Sequence, residues 1–357
     1  MIRQRSAVAQ LPGYVQGRSD AGAIKLSSNE SPFPPLPAVT DALGGLMDSL
    51  HLYPEIAATE LIARLAARLA VNPEEIALGS GSAEVVTQLI AAAAGEGDEV
   101  IFAWRSFEAY PRLVQIAGAT PVPIALTSEG RHDLPAMAAA VTDRTKLILV
   151  CSPNNPTGTC VMKDELDSFL QTVPREVLVV IDEAYVHFNN GEGTADGLDF
   201  FRRYENVAVL HTFSKAYGLA GLRVGYAIAP EQITANLRRV ALPFGVTALA
   251  QKAALVSLDA EAELRERVDY VISERSRVAD ALRDGGWSTF DSFGNFIWLR
   301  TGERTAFVHQ QLWERGVLAR AFIGEGIRVT VGNSEMNDVF LTAMRTLSSL
   351  REYDTTE

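Results

Sequence analysis

Cysteine is scarce: the 357 residues hold only Cys151 and Cys160. Two thiols cannot build a disulfide framework, and so low a count points to a reducing, cytoplasmic setting. The five histidines show no metal-ligand spacing, so no metal site is expected. No apolar run approaches the roughly 20 residues of a membrane helix. The first residues are basic, yet no signal-length apolar stretch follows them, and no targeting segment is expected. Positive charge is also short, with 32 Lys+Arg against 44 Asp+Glu and a net charge of −12. A surface of that sign repels phosphate backbones and anionic lipid, which sets aside nucleic-acid and membrane-surface roles. It leaves small anionic ligands open, because a few arginines can outweigh the net charge at one site. Internal repeats and low-complexity tracts are missing. So are a Gly-x-Gly-x-x-Gly fingerprint and a Walker loop, which argues against a nucleotide or dinucleotide ligand.

What is present is an α/β pattern in a chain long enough for two domains. Apolar segments at 76–78, 99–103, 120–124, 146–151, 177–181, 207–211 and 223–228 are separated by helix-length stretches. Continuous apolar runs of this length suit strands covered on both faces. They predict a mostly parallel sheet of seven strands, covered by helices, over roughly residues 75–245. Leu61, Leu65 and Leu69 recur at helical spacing. Residues 1–40, with five prolines, read as irregular. A charged segment at 258–285, including Glu261, Arg265, Glu274, Arg275 and Arg277, reads as an exposed helix with no nucleic-acid stripe. Strands at 296–300, 317–320 and 327–331, then a helix at 335–350, make a compact α+β tail. The expected division is a large domain at 45–250 and a small domain combining 1–44 with 251–357.

Four of the strand ends carry chemistry. Gly79-Ser80-Gly81-Ser82-Ala83 opens a helix after the first strand, offering free backbone N–H groups to a phosphate. Ser152-Pro153-Asn154-Asn155-Pro156 stiffens a loop and presents two amides. Asp182 ends the fifth strand after a run of apolar residues. There it should be half buried and in need of a cationic partner, from a side chain or a ligand. Lys215 follows the sixth strand in Thr212-Phe213-Ser214-Lys215, at the carboxyl edge where open α/β sheets bind ligands. Arg223 adds a cation near the phosphate cradle. Each feature alone has a plainer reading as a turn, a helix cap or a surface charge. Together they meet the needs of pyridoxal phosphate: a lysine for its aldehyde, a carboxylate for its ring nitrogen, a cradle for its phosphate.

With these motifs the chain resembles the fold-type-I aminotransferases, in the branch that contains histidinol-phosphate aminotransferases. The similarity also runs through Ser28-Asn29-Glu30-Ser31-Pro32, Tyr53-Pro54, Asp182-Glu183-Ala184-Tyr185, the block from Thr212 to Tyr226, and Ile327-Arg328-Val329-Thr330. The segment from Trp104 to Pro111 is similar to actinobacterial aromatic amino acid aminotransferases. The resemblance implies that Lys215 carries the cofactor and shuttles a proton, and that Asp182 pairs with the ring nitrogen. It implies that Asn155 and Tyr185 bond the ring oxygen and that Phe107 stacks on the ring. Ser82, Ala83, Thr212, Ser214 and Arg223 would hold the phosphate. Tyr53 would reach the partner subunit's site in a homodimer. Arg328 would clamp the substrate carboxylate, with Asn29, Glu30 and Tyr14 near the entrance. Arg320 resembles a phosphate-contacting arginine of the histidinol-phosphate enzymes.

The expected reaction is amino-group transfer between an aromatic amino acid and 2-oxoglutarate by a ping-pong route. Histidinol-phosphate aminotransfer is the first alternative and threonine-phosphate decarboxylation the second. A transcription regulator is disfavoured, since no basic helix-turn-helix precedes residue 30. His187 and His211 read as packing residues.

Overall fold

The computed structural model describes residues 22–351 and, before them, residues 2, 5–9, 11, 13 and 20. The strands in chain order are β1 (Ile24–Lys25), β2 (Ile76–Gly79), β3 (Glu99–Trp104), β4 (Thr120–Ala125), β5 (Thr145–Cys151), β6 (Leu178–Asp182), β7 (Val207–Thr212), β8 (Gly225–Ile228), β9 (Phe296–Leu299), β10 (Val317–Leu318), β11 (Arg320–Phe322) and β12 (Gly326–Thr330). Seven form the main sheet in the order β2-β8-β7-β6-β5-β3-β4. Pairing is parallel except around β8, which runs antiparallel to both neighbours.

Side-chain alternation explains why this sheet is legible. Leu147, Leu149, Val180, Ala208 and Leu210 pack on one face with Val85 and Leu89 of helix Ser82–Ala93. Ile148, Val150, Val179, Ile181 and Val207 pack on the other with Leu166 and Phe169 of helix Lys163–Thr172. Both faces are apolar, so the strands lose the polar alternation of a half-exposed sheet. Parallel pairing then brings Cys151 and Asp182 level across β5 and β6, with Thr212 at the end of β7.

The tail carries an antiparallel sheet in the order β11-β12-β9. β1 pairs in parallel with β10, matching Ile24 to Val317. Thr330 N donates to Leu26 O at 2.8 Å. The N-terminal segment is thereby fixed against the tail, and residues 27–29 lie beside β12.

Three expectations need correction. Residues 1–40 are not wholly irregular, since they hold β1 and the start of helix Pro37–Gly44. A two-residue strand has no period to read, and proline is at home in the first helical turn. The strand expected at 317–320 is two: Val317–Leu318 pairs with β1, and Arg320 belongs to the β11–β12 hairpin. The charged helix is helix Glu261–Asp284, preceded by helix Ala248–Asp259, and it is not exposed throughout. Glu274 and Arg275 are buried. Arg275 donates to Phe188 O and Gly294 O, each at 2.9 Å, and to Asn190 Oδ1 at 2.7 Å. Carbonyl acceptors are what allow a guanidinium to be buried there. Among the described residues no helix is long and apolar enough to cross a membrane.

Candidate active site

Lys215 lies just past β7 in a buried turn. Burial is the main force on its amine, and Arg328 is the next; together they pull its pKa down to about 7. Nζ donates to Ser28 O at 3.2 Å and to Asn29 O at 3.3 Å. These are carbonyls of the N-terminal segment, so the lysine spans the junction between the main sheet and the tail. It faces a cavity of about 230 Å³.

Asp182 lines the same cavity. It is buried, more deeply than the half burial expected of it. Tyr110 Oη donates to Asp182 Oδ2 at 2.6 Å and Ala184 N donates to Oδ1 at 3.2 Å. Among the described residues no lysine or arginine pairs with it. Burial raises its pKa, an effect partly offset by the Tyr110 and Ala184 bonds. A carboxylate held this way lacks the cation that burial calls for, and a ligand cation is the chemistry that would supply it. Phe107 stands edge-on to Tyr110, with ring centroids 5.4 Å apart, and also lines the cavity.

The cradle forms where β2 turns into helix Ser82–Ala93. Gly81 takes φ +83°, a conformation that favours glycine, and a Cβ there would collide with the Arg223 guanidinium. Glu84 N and Val85 N bond back to Gly81 O, leaving the Ser82 and Ala83 N–H groups without a protein acceptor among the described residues. Arg223 Nη1 donates to Ala220 O at 2.9 Å and to Ser214 Oγ at 3.3 Å. Ser214 N donates to Thr212 Oγ1 at 3.1 Å. Hydroxyls, free amides and a guanidinium at one helix start make an anion site.

The opposite wall comes from β12. Arg328 is buried and donates to Asn155 Oδ1 at 2.5 Å and Ser27 O at 2.7 Å. Asn29 Nδ2 donates to Tyr185 Oη at 3.0 Å, and burial pushes the Tyr185 phenol up to about 12. Asn29 N donates to Thr330 Oγ1 at 2.9 Å, tying the entrance segment to β12. Arg320 lines the cavity as a bidentate partner of Glu108, with Nε to Oε2 at 3.1 Å and Nη2 to Oε1 at 3.0 Å.

The cavity thus gathers Asn29, Ser82, Ala83, Phe107, Asn155, Asp182, Tyr185, Thr212, Ser214, Lys215, Arg223, Arg320 and Arg328. It does not include Tyr53, which is 82% exposed and stacks on Phe244 at 4.7 Å. Glu30 does not line the cavity and pairs with Lys25 at 2.8 Å, although its charge still acts on the Lys215 amine. Tyr14 lies outside the described residues. His211 is buried between Glu183 Oε2 (2.8 Å) and Tyr226 Oη (3.0 Å). His187 packs edge-on to Tyr217, and burial lowers its pKa to about 3. Tyr110 and Glu108 have no assigned role from the sequence, although both sit in the Trp104–Pro111 segment. Tyr110 falls three residues after Phe107, which was the available signal. Among the described residues no acidic, histidine or cysteine cluster could hold a metal.

The sequence profile of the family described as Aminotransferase class I and II matches residues 21–344. The aromatic amino acid aminotransferase of Streptomyces coelicolor is 53% identical over 341 residues, covering 94% of this chain and 95% of that one. The aromatic amino acid aminotransferase of Cutibacterium acnes is 50% identical over 342 residues, covering 96% and 97%. The structure of histidinol-phosphate aminotransferase from Sinorhizobium meliloti in complex with pyridoxal-5'-phosphate superposes with a TM-score of 0.90. It shares 23% identity with this chain, and 98% of each chain is covered.

Proposed function

The chain belongs to the class I and II aminotransferase family, and from that premise we propose that it transfers the amino group of aromatic amino acids to 2-oxoglutarate through bound pyridoxal phosphate. The observation that carries this is one cavity holding a buried amine, a buried carboxylate without a cation, and a buried guanidinium. The cofactor supplies an aldehyde and an electron-accepting ring. Lys215 would hold the aldehyde carbon and move the proton at the substrate α-carbon. Asp182 would pair with the ring nitrogen. Asn155 and Tyr185 would bond the ring oxygen, and Phe107 would lie on the ring face. Ser82, Ala83, Thr212, Ser214 and Arg223 would grip the phosphate. Arg328 would take the α-carboxylate in a two-pronged grip, with Asn29 beside it.

The aromatic preference rests on the names of the relatives and on the Glu108 partner that already engages Arg320. The second reading, histidinol phosphate as amino donor, rests on Arg320 lining the cavity. Half-reaction kinetics with phenylalanine, tyrosine and histidinol phosphate separate the two. We expect phenylalanine or tyrosine to exceed histidinol phosphate in kcat/KM by at least about tenfold, and the reverse order would overturn the aromatic reading. Carbon dioxide release would point to decarboxylation instead.

The working unit is proposed as a cytoplasmic homodimer in which Tyr53 serves the partner's site. Each chain would divide into a large domain at 45–250 and a small one from 1–44 with 251–357. Leu50, Leu52, Tyr53, Ile56, Leu242 and Phe244 are all exposed apolar side chains; Tyr53 stacks on Phe244, which shares a groove with Ile56 and Leu242, and an exposed apolar patch of that kind marks an interaction surface. Replacing both Leu52 and Leu242 by aspartate should shift the mass in light scattering from twice 38.7 kDa toward 38.7 kDa. Activity should fall with it. An active monomer would rule out the shared site.

A further inference from the structure

Arg320 and Arg328 are direct partners across the β11–β12 ladder, so their side chains leave the same face of the hairpin. Like charges directly opposite each other repel. The two arginines are nonetheless treated differently. Arg328 meets the neutral acceptors Asn155 Oδ1 and Ser27 O. Arg320 has its Nε and Nη2 donors engaged by the Glu108 carboxylate. The pair is only partly buried, with side chains 25% and 33% exposed, and both residues line the cavity. Glu108 comes from the segment after β3, 212 residues away in sequence from Arg320.

We propose that Glu108 is a specificity-determining residue: by occupying the Arg320 fork it limits the subsite beside Arg328 to the one α-carboxylate that an aromatic amino acid or 2-oxoglutarate presents there, and turns away substrates that carry a phosphomonoester in its place. The inference rests on the reading of the cavity as an amino-donor site. A carboxylate brings one negative charge and matches one guanidinium. A phosphomonoester brings close to two charges and three acceptor oxygens, which suit two adjacent guanidinia. To reach Arg320 it must unseat Glu108 and then lie against that residue's negative charge. The α-carboxylate of an aromatic amino acid, satisfied by Arg328 alone, makes no such demand.

The test uses the holoenzyme of the wild type, of Glu108→Gln and of Glu108→Ala, the last two guarding against a folding defect in either one. Single-turnover half-reactions with phenylalanine and histidinol phosphate give the ratio of their kcat/KM values. Calorimetric titration of histidinol phosphate, under conditions that need no turnover, gives its affinity. We expect the ratio to move toward histidinol phosphate by at least about tenfold in both variants, the scale of a charged hydrogen-bonded contact. Affinity should rise in parallel, and adding Arg320→Ala should cancel the gain. An unchanged ratio and affinity in both variants would overturn the proposal, as would a gain that survives loss of Arg320. A wild type inactive toward every aromatic amino acid would instead defeat the parent reading, and the titration would still decide the role of Glu108.

Discussion

Lys215→Ala is expected to lower amino-group transfer by about four orders of magnitude or more, because in the proposed mechanism one residue supplies both the attachment point and the proton carrier. Borohydride treatment of the wild type should leave the cofactor covalently on Lys215, found by peptide mass, and the alanine protein should carry none. A variant that turned over at the wild-type rate would end the proposed mechanism. The pH dependence follows from burial. Desolvation disfavours the ammonium form, so the amine of the cofactor-free protein is half neutral near pH 7. Only the neutral amine attacks a carbonyl. The rate of cofactor attachment to the free protein should therefore climb with pH through about 7 and level off above it. A lysine with its ordinary value of 10.5 would still be climbing beyond pH 9. Stopped-flow absorbance over roughly two pH units on either side of 7 distinguishes the two curves.

The main sheet was legible because burial on both faces leaves a signature in consecutive residues. All seven expected strands lie within two residues of the observed ones, from β2 at Ile76–Gly79 to β8 at Gly225–Ile228. The same logic drew attention to Asp182, a charged residue ending an apolar strand, and to Lys215, which follows one three residues past its end; the structure places both on one cavity. Other features depend on partners far away in the chain. Arg275 looks like its exposed neighbours in sequence, and only the carbonyls of Phe188 and Gly294 make it a buried strut. The break between Leu318 and Arg320 is set by two different neighbouring strands. The Tyr110 hydroxyl reaches Asp182 across 72 residues of sequence, and Asn29 meets Thr330 across 301. Periodicity reports what one segment buries. It does not report which distant group a polar side chain will meet.

Asp182→Asn should separate function from stability, and the two should move in opposite directions. In the proposed holoenzyme the carboxylate faces the cationic ring nitrogen in a buried site. Removing one partner of a buried ion pair costs about 3–5 kcal/mol, or roughly 10²–10⁴-fold in cofactor affinity, rate or both. The cofactor-free protein should behave the other way. Burial without a cation raises the Asp182 pKa above its ordinary 3.8. A carboxyl group whose folded value is raised favours the folded state most when protonated, and that benefit is lost as pH rises through the folded value. At neutral pH Asp182 therefore destabilises the cofactor-free fold, whose burial opposes the charge that the unfolded chain carries freely, and an uncharged amide in its place relieves this. The cofactor-free Asp182→Asn protein should melt at a higher temperature than the cofactor-free wild type at pH 7. The difference should vanish at a pH below 3.8, where the aspartate is neutral as well. Tyr110 Oη can turn from donor to acceptor and bond the new amide, so the substitution need not leave an unsatisfied group. A variant equally stable at both pH values but inactive would mean that the carboxylate carries no desolvation cost in the free protein. A variant with wild-type activity would mean that the buried carboxylate serves packing and not the ring nitrogen.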